Sequence, residues 1–120
     1  MVRTVVIVDD YRAFRTAARR LLEAGAYQVV GEAEDGASAL IAVERLRPDV
    51  VLLDVLLPDR SGFDVADRLA QTAAESQIVM ISSRDEAAFR EPLSRSQACG
   101  FVYKGDLSLR MLDALLARPL

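Results

Sequence analysis

Polar side chains follow four short apolar runs of this sequence, at the point where each run ends. The runs are continuous and rich in β-branched residues, which is typical of strands buried on both faces of a parallel sheet. Ligand sites in open α/β sheets lie just beyond the carboxyl ends of the strands, so we expect these side chains to converge at one edge. They are Asp9, Asp10, Asp54, Ser82 and Lys104.

Three carboxylates, a hydroxyl and an ammonium indicate phosphoryl transfer to a carboxylate. If Asp9 and Asp10 lie close to Asp54, the like charges raise each other's pKa values unless a cation intervenes. A hard divalent cation with oxygen ligands removes this repulsion, and Mg²⁺ is the best candidate. Lys104 offers a compact positive charge and Ser82 a hydroxyl donor to a phosphoryl oxygen. An aspartate nucleophile, a metal and a cation together are typical of this reaction.

The elements that must position these residues alternate along the chain. Strand and helix patterns succeed each other about five times, which predicts an α/β fold with a parallel sheet and helices on both faces. A strand order of 2-1-3-4-5 places the first and third strands side by side, with their aspartates together. We predict the second strand near residues 28–32 and helices near residues 12–24, 37–46, 63–73 and 107–117.

Two helices carry more specific predictions. In the fourth, a start near Asp85 would put Pro92 inside the helix, where proline costs ~3 kcal/mol or more. We therefore expect an irregular segment between residues 84 and 97, either a broken helix or one that begins late with Pro92 in its first turn. The arginines of the first helix are interpreted as a solvent-exposed face. This helix has an apolar face of Phe14, Ala17, Ala18 and Leu21 and a charged face of Arg12, Arg15 and Arg19.

Composition restricts the class of protein. The chain has 120 residues, which predicts one domain over residues 1–120, and a net charge of −3 gives no reason to expect nucleic-acid binding. The absence of histidine excludes Ser-His and Cys-His catalysis and a phosphohistidine role. The single cysteine, Cys99, suits a reducing compartment and a small buried apolar position. With no signal-peptide pattern or membrane-spanning run, we expect a cytoplasmic protein without membrane contact.

Five segments in order carry a resemblance to a known family. They are residues 8–10, 47–54, 57–62, 81–82 and 103–104, which read VDD, RPDVVLLD, LPDRSG, IS and YK. Over essentially its whole length the chain resembles the receiver domain of two-component response regulators. The resemblance implies a flavodoxin-like (βα)5 fold, a doubly wound parallel sheet in the predicted strand order.

The resemblance also implies a role for each site residue. Asp54 would be the phosphoacceptor, with a sensor histidine kinase as the donor. Lys104 would pair with the phosphoryl group, Ser82 would move to bond it, and Tyr103 would then turn inward. The switch would repack the face formed by the fourth helix, fifth strand and fifth helix. The implied Mg²⁺ ligands are Asp9, Asp10, Asp54 and the backbone carbonyl of Leu56.

Residues 30–36 (VGEAEDG) are similar to receivers that precede a helix-turn-helix output domain. The resemblance thus implies a transcriptional output, a C-terminal DNA-binding domain absent from this chain, and possible homodimers. Residues 117–120 are interpreted as a linker stump or as a natural end. The chain would assist its own phosphorylation and dephosphorylation without turning over an independent substrate, and it would not bind DNA itself.

Departures from the family pattern bear on two alternatives. Gly105 stands where many receivers have proline, Tyr11 where the subfamily often has histidine, and Gln97 where glycine is usual. Leu56 cannot hydrogen-bond an attacking water, so we expect slow self-hydrolysis. A Mg²⁺-dependent phosphatase is one alternative, but such enzymes usually need a second carboxylate at the position of Leu56. The other is a degenerate receiver that docks partners without phosphorylation, for which Pro92 and Gln97 leave room.

Overall fold

Five parallel strands form one sheet in the order β2-β1-β3-β4-β5. The computed structural model of the chain describes residues 2–117, so predictions for residues 118–120 lie outside the described residues. The strand order and the parallel α/β architecture confirm the fold predicted from the sequence. The strands are β1 (Arg3–Val8), β2 (Tyr27–Ala33), β3 (Val50–Asp54), β4 (Gln77–Ser82) and β5 (Gly100–Tyr103).

Helices cover both faces of the sheet and end within one or two residues of their predicted limits, apart from α4. Side chains alternate along each strand, so Val6 and Val8 enter one apolar cluster while Val5 and Ile7 enter the other. The first cluster lies under α2 and α3, and the second lies under α1 and α5. The helices are α1 (Arg12–Glu23), α2 (Gly36–Leu46), α3 (Gly62–Thr72), α4 (Arg90–Arg95) and α5 (Leu109–Leu116).

The segment between β4 and β5 is irregular, as expected from Pro92. A 3₁₀ turn at Glu86–Phe89 precedes α4, which begins at Arg90 and therefore has Pro92 in its first turn. The amide groups of a first turn have no intrahelical partner, so a proline there removes no helical hydrogen bond. The late start of α4 thus accommodates a residue that would break a longer helix.

Two predicted details differ from the structure. In α1, Ala17 is exposed and Leu22 is buried, so the buried face is rotated from the predicted one. The last helix begins at Leu109 and not at residue 107, because the Ser108 side chain caps it by accepting a hydrogen bond from the Met111 amide. Within residues 2–117, no helix is both long enough and apolar enough to cross a membrane.

Candidate functional site

The carboxyl ends of four neighbouring strands bring the predicted polar residues together. Asp9 follows β1, Asp54 ends β3, and Ser82 ends β4. Asp54 pairs with Ile81 in the next strand, and Ser82 pairs in turn with Tyr103, directly before Lys104. Strand register therefore places these side chains at one edge of the sheet, as the sequence predicted.

Three carboxylates form an acidic cluster at this edge. One carboxylate oxygen from each of Asp9, Asp10 and Asp54 lies within 4.8 Å of the others. Asp9 is fully buried and Asp54 is 5% exposed, whereas Asp10 faces solvent. Two charges withdrawn from water beside a third require a cation to compensate them.

Lys104 supplies positive charge between the two buried carboxylates. Its Nζ lies 2.6 Å from Asp9 Oδ2 and 3.3 Å from Asp54 Oδ2, and the ring centroid of Phe14 lies 4.8 Å away. Burial by itself lowers the pKa of Lys104, but the contacts with Asp9 and Asp54 outweigh it and raise that pKa above its ordinary value. Lys104 is therefore charged at neutral pH.

Asp54 resists ionisation despite this neighbour. Burial first, and then the negative charge of Asp9, raise the pKa of Asp54 from 3.8 to about 6. Lys104 and a 3.3 Å hydrogen bond from the Leu56 amide lower it without cancelling the increase. At neutral pH this carboxylate is thus largely ionised and poorly compensated, a state that favours reaction with an electrophile or binding of a cation.

The donor set fits a divalent cation. Asp9 Oδ1 accepts a hydrogen bond from the Tyr11 amide at 2.8 Å. Asp9 Oδ2 is buried and lacks a hydrogen bond with good geometry within the described part of the chain, although the Lys104 ammonium is close. A buried carboxylate oxygen with unused capacity, beside two further carboxylates, matches the oxygen-rich sites of Mg²⁺.

The two predicted switch residues, Ser82 and Tyr103, lie beside the acidic cluster and differ in burial. Ser82 is buried, and its Oγ accepts a hydrogen bond from the Arg84 amide at 3.0 Å. Tyr103 is 42% exposed, and a Cβ placed on Gly105 would come within 2.6 Å of its ring. Glycine at position 105 therefore leaves space for the exposed ring of Tyr103. Leu56, two residues after Asp54, is also exposed.

Arg15 is a site residue that the sequence analysis missed. Its Nη1 donates to the backbone carbonyl oxygen of Asp9 at 2.6 Å, and its Nε donates to Glu32 at 2.9 Å. The prediction of a solvent-exposed arginine was wrong here, since the Arg15 side chain is 13% exposed. The available signal was Glu32, an acidic residue near the end of the strand that neighbours β1.

Comparison with known proteins agrees with this fold and shows the family of the chain. The family model of the response regulator receiver domain matches residues 5–115. The chain is 35% identical over 113 residues to the transcriptional regulatory protein NarL of Mycobacterium tuberculosis, covering 93% of this chain and 52% of that protein. It is 33% identical over 112 residues to the response regulator GacA of Pseudomonas viridiflava, covering 92% and 52%.

A solved structure described as the signal receiver domain of the response regulator NarL from Mycobacterium tuberculosis superposes with a TM-score of 0.85. The two chains are 34% identical, and the match covers 98% of each. The chain therefore belongs to the response regulator receiver domain family. Receiver domains of transcriptional response regulators are not classical enzymes. The chain spans about half the length of the curated relatives it matches.

Proposed function

We propose that this receiver accepts a phosphoryl group on Asp54 from a sensor histidine kinase and transmits the change through its α4-β5-α5 face. The observation that carries the proposal is the position of Asp54, which lies with Asp9 and Asp10 in one acidic cluster and contacts Lys104. This combination supplies a nucleophile, a metal site and a cation for the transferred group.

In the proposed reaction, a carboxylate oxygen of Asp54 attacks the phosphorus atom of phosphohistidine, and the P–N bond breaks as the imidazole leaves. Mg²⁺, when bound, would neutralise the acidic cluster and the charge of the phosphoryl group. Lys104 would release its contact with Asp54 and pair with a phosphoryl oxygen. The residues that would hold the metal are Asp9, Asp10, Asp54 and, through its carbonyl, Leu56.

The proposed switch uses the state of Ser82 and Tyr103. At present the Ser82 hydroxyl accepts a hydrogen bond from the Arg84 amide. The phosphoryl group, with a charge of about −1.5 to −2, would draw this hydroxyl away from the amide. The space vacated by that movement would admit the ring of Tyr103, which is now outward over Gly105. Residues 86–95 would repack in response, since α4 itself has no buried residue.

The proposed output is transcriptional. The relatives include proteins named as transcriptional regulators, and this chain corresponds to about half of their length. We propose that residues 1–120 act as the receiver of a protein with a C-terminal DNA-binding domain, and that phosphorylation favours a homodimer. This receiver has a net charge of −3, which supports an absence of direct DNA contact by this part. A cytoplasmic location stays a prediction.

The test is intact mass spectrometry after incubation with Mg²⁺ and acetyl phosphate. We expect one phosphoryl adduct on the wild-type chain that hydroxylamine removes and EDTA prevents. Asp54→Ala should form no adduct, whereas Asp64→Ala, which removes an exposed carboxylate of α3, should form it normally. An adduct that survives in Asp54→Ala would contradict the proposed acceptor.

The two alternatives predict other results, one in the same experiment and the other in a phosphatase assay. A folded wild-type chain that binds Mg²⁺ but forms no adduct would favour a docking module that works without phosphorylation. Continuous release of phosphate from p-nitrophenyl phosphate, lost in Asp54→Ala, would favour the phosphatase. The exposed apolar side chain of Leu56 offers no acid or base for that reaction, so we expect no turnover.

A further inference from the structure

Arg15 joins the loop after β1 to the end of β2. Nη1 of its guanidinium group donates to the Asp9 carbonyl oxygen, and Nε donates to Glu32. The side chain is largely buried, in contrast to an ordinary surface arginine. Because a guanidinium group is planar and rigid, a contact at each side fixes the position of the carbonyl relative to the strand.

Glu32 is a firm anchor for this contact. Arg19 donates from Nε to the second oxygen of Glu32 at 2.9 Å, so both carboxylate oxygens are engaged. Burial by itself raises the pKa of Glu32, but the hydrogen bonds from Arg19 and Arg15 hold that pKa below its ordinary value. Glu32 is therefore ionised at neutral pH, and charge-assisted hydrogen bonds to it are strong.

The Asp9 carbonyl belongs to the peptide group that leads into Asp10. A peptide group is planar, so a hydrogen bond to its oxygen restrains the orientation of the plane that also contains the nitrogen and Cα of Asp10. The side chain of Asp9 is oriented separately, by the hydrogen bond from the Tyr11 amide. Within residues 2–117, the Asp10 carboxylate has no hydrogen bond or ion pair of its own. Its direction therefore depends on the backbone that Arg15 holds.

We propose that Arg15, anchored by Glu32, is a positioning residue that holds the Asp9-Asp10 pair in the arrangement that binds Mg²⁺. This inference rests on the proposed function, because it concerns the metal site used there. Arg15 does not touch the metal or the phosphoryl group in this proposal and acts through the Asp9 carbonyl.

The sign of the effect separates this role from simple charge. Arg15 is a cation near an acidic site, so Coulomb's law alone predicts that removing it would strengthen Mg²⁺ binding. Loss of positioning predicts the opposite, because Asp10 would no longer be held towards Asp9 and Asp54. Removing a partner that orients metal ligands typically weakens metal affinity by roughly 10-fold or more.

The experiment is calorimetric titration of the full chain with Mg²⁺ alone. We expect Arg15→Met to raise the Kd for Mg²⁺ by roughly 10-fold. The matched control is Arg19→Met, which removes another arginine from the same Glu32 but makes no contact with Asp9; its Kd should change less than that of Arg15→Met, because Glu32 keeps its hydrogen bond to Arg15. Arg15→Lys keeps the charge but lacks the fork that spans both acceptors, so it should also bind Mg²⁺ more weakly.

A spectroscopic measurement checks the route of the effect. The carbonyl ¹³C resonance of Asp9 should move in Arg15→Met and stay in place in Arg19→Met. Urea denaturation of each variant in EDTA shows whether the metal-free fold is intact. If Arg15→Met does not fold, the Kd of Arg15→Lys for Mg²⁺ tests the positioning role. A wild-type chain that fails to bind Mg²⁺ would defeat the proposed function itself. A wild type that binds Mg²⁺, with Arg15 variants that bind equally or more tightly, would overturn the positioning role alone.

Discussion

Asp54 is ionised at a cost in the metal-free protein, and this cost should be visible in its stability. Its pKa is about 6 in the folded chain against an ordinary 3.8, with burial as the main cause. Between these values the unfolded chain has already released the proton that the folded chain retains. The free energy of unfolding should therefore fall as pH rises through this window, by about 3 kcal/mol at most from this group.

Asp54→Asn removes the titrating group and should remove this dependence. In EDTA, the free energy of unfolding of the variant relative to wild type should increase by about 1–3 kcal/mol between pH 4 and pH 7. Urea denaturation at several pH values measures the difference. Asp67→Asn, at an exposed position of α3, is the control and should stay parallel to wild type. A constant offset between Asp54→Asn and wild type across this range would contradict the raised pKa.

Leu56 gives a second prediction at the residue scale, which depends on phosphorylation of Asp54. Its side chain is 53% exposed at the rim of the site and carries no group that could orient a water molecule. Leu56→Asn adds such a group without much change in size, so the phosphoryl group should be lost several-fold faster. Decay of the purified phosphoprotein in Mg²⁺ measures this rate, with Leu56→Met as an apolar control. Equal lifetimes in all three proteins would remove Leu56 from the control of hydrolysis.

At the scale of elements, α2 and α3 both begin with a glycine, and the two glycines serve different purposes. A Cβ on Gly62 would collide with the backbone carbonyl oxygen of Asp54 and would come within 3.0 Å of Val55 Cα. A Cβ on Gly36 would meet only the side chain of Arg60, whose neighbouring partner Asp59 holds it at the surface. Backbone atoms cannot move aside without shifting β3, whereas an arginine side chain can.

Gly62→Ala should therefore destabilise the protein, by about 1–3 kcal/mol from overpacking. Gly36→Ala should stay within about 1 kcal/mol of wild type, because alanine favours a helix and offsets the displaced side chain. Urea denaturation of both variants in EDTA provides the comparison. Gly62→Ala should also slow phosphorylation, since the clash involves the backbone of the acceptor. Equal stability of the two variants would show that the close approach of α3 to β3 is not required.

The sequence predicted elements and site well where chain geometry determines them. Parallel strands align their carboxyl ends, so the convergence of Asp54, Ser82 and Lys104 followed from strand order alone. The buried face of α1 did not follow in the same way, because Ala17 and Leu22 lie at opposite edges of its apolar stripe and the sequence does not show which edge faces the sheet. Packing against the strands decides between such positions.

The Arg15 contact with Glu32 shows a second limit of sequence-based prediction. These residues are 17 positions apart, and the packing of α1 against β2 brings them together. Charged side chains on a helix are usually solvent-exposed, so the residue type predicted an exposed position for Arg15, which is largely buried. Contacts between side chains from different elements depend on distances that strand order alone does not give.

At the scale of the whole molecule, burial is distributed unequally across the sheet. All five residues of β3 are buried, whereas β5 has one buried residue and α4 has none. Phe89 of the preceding 3₁₀ turn is the main apolar anchor of that segment, against Phe63 and Phe101. The centre of the sheet is therefore held from both sides, while the segment between β4 and β5 has few contacts to lose. Regions with few buried contacts open at low free-energy cost.

Native-state hydrogen exchange should resolve this division. The amides of β1 and β3 should exchange only through global unfolding, and those of residues 86–95 through local opening at a free energy several kcal/mol lower. Phosphorylation with acetyl phosphate and Mg²⁺ should change protection in residues 86–95 and β5 while that of α2 stays constant, with Asp54→Ala as the unresponsive control. Uniform protection, or a response centred on α2, would exclude the α4-β5-α5 face as the transmitting surface. We expect this pattern because the free energy supplied by one phosphoryl group is small. It can rearrange only the segments that few buried contacts stabilise, which are α4 and β5.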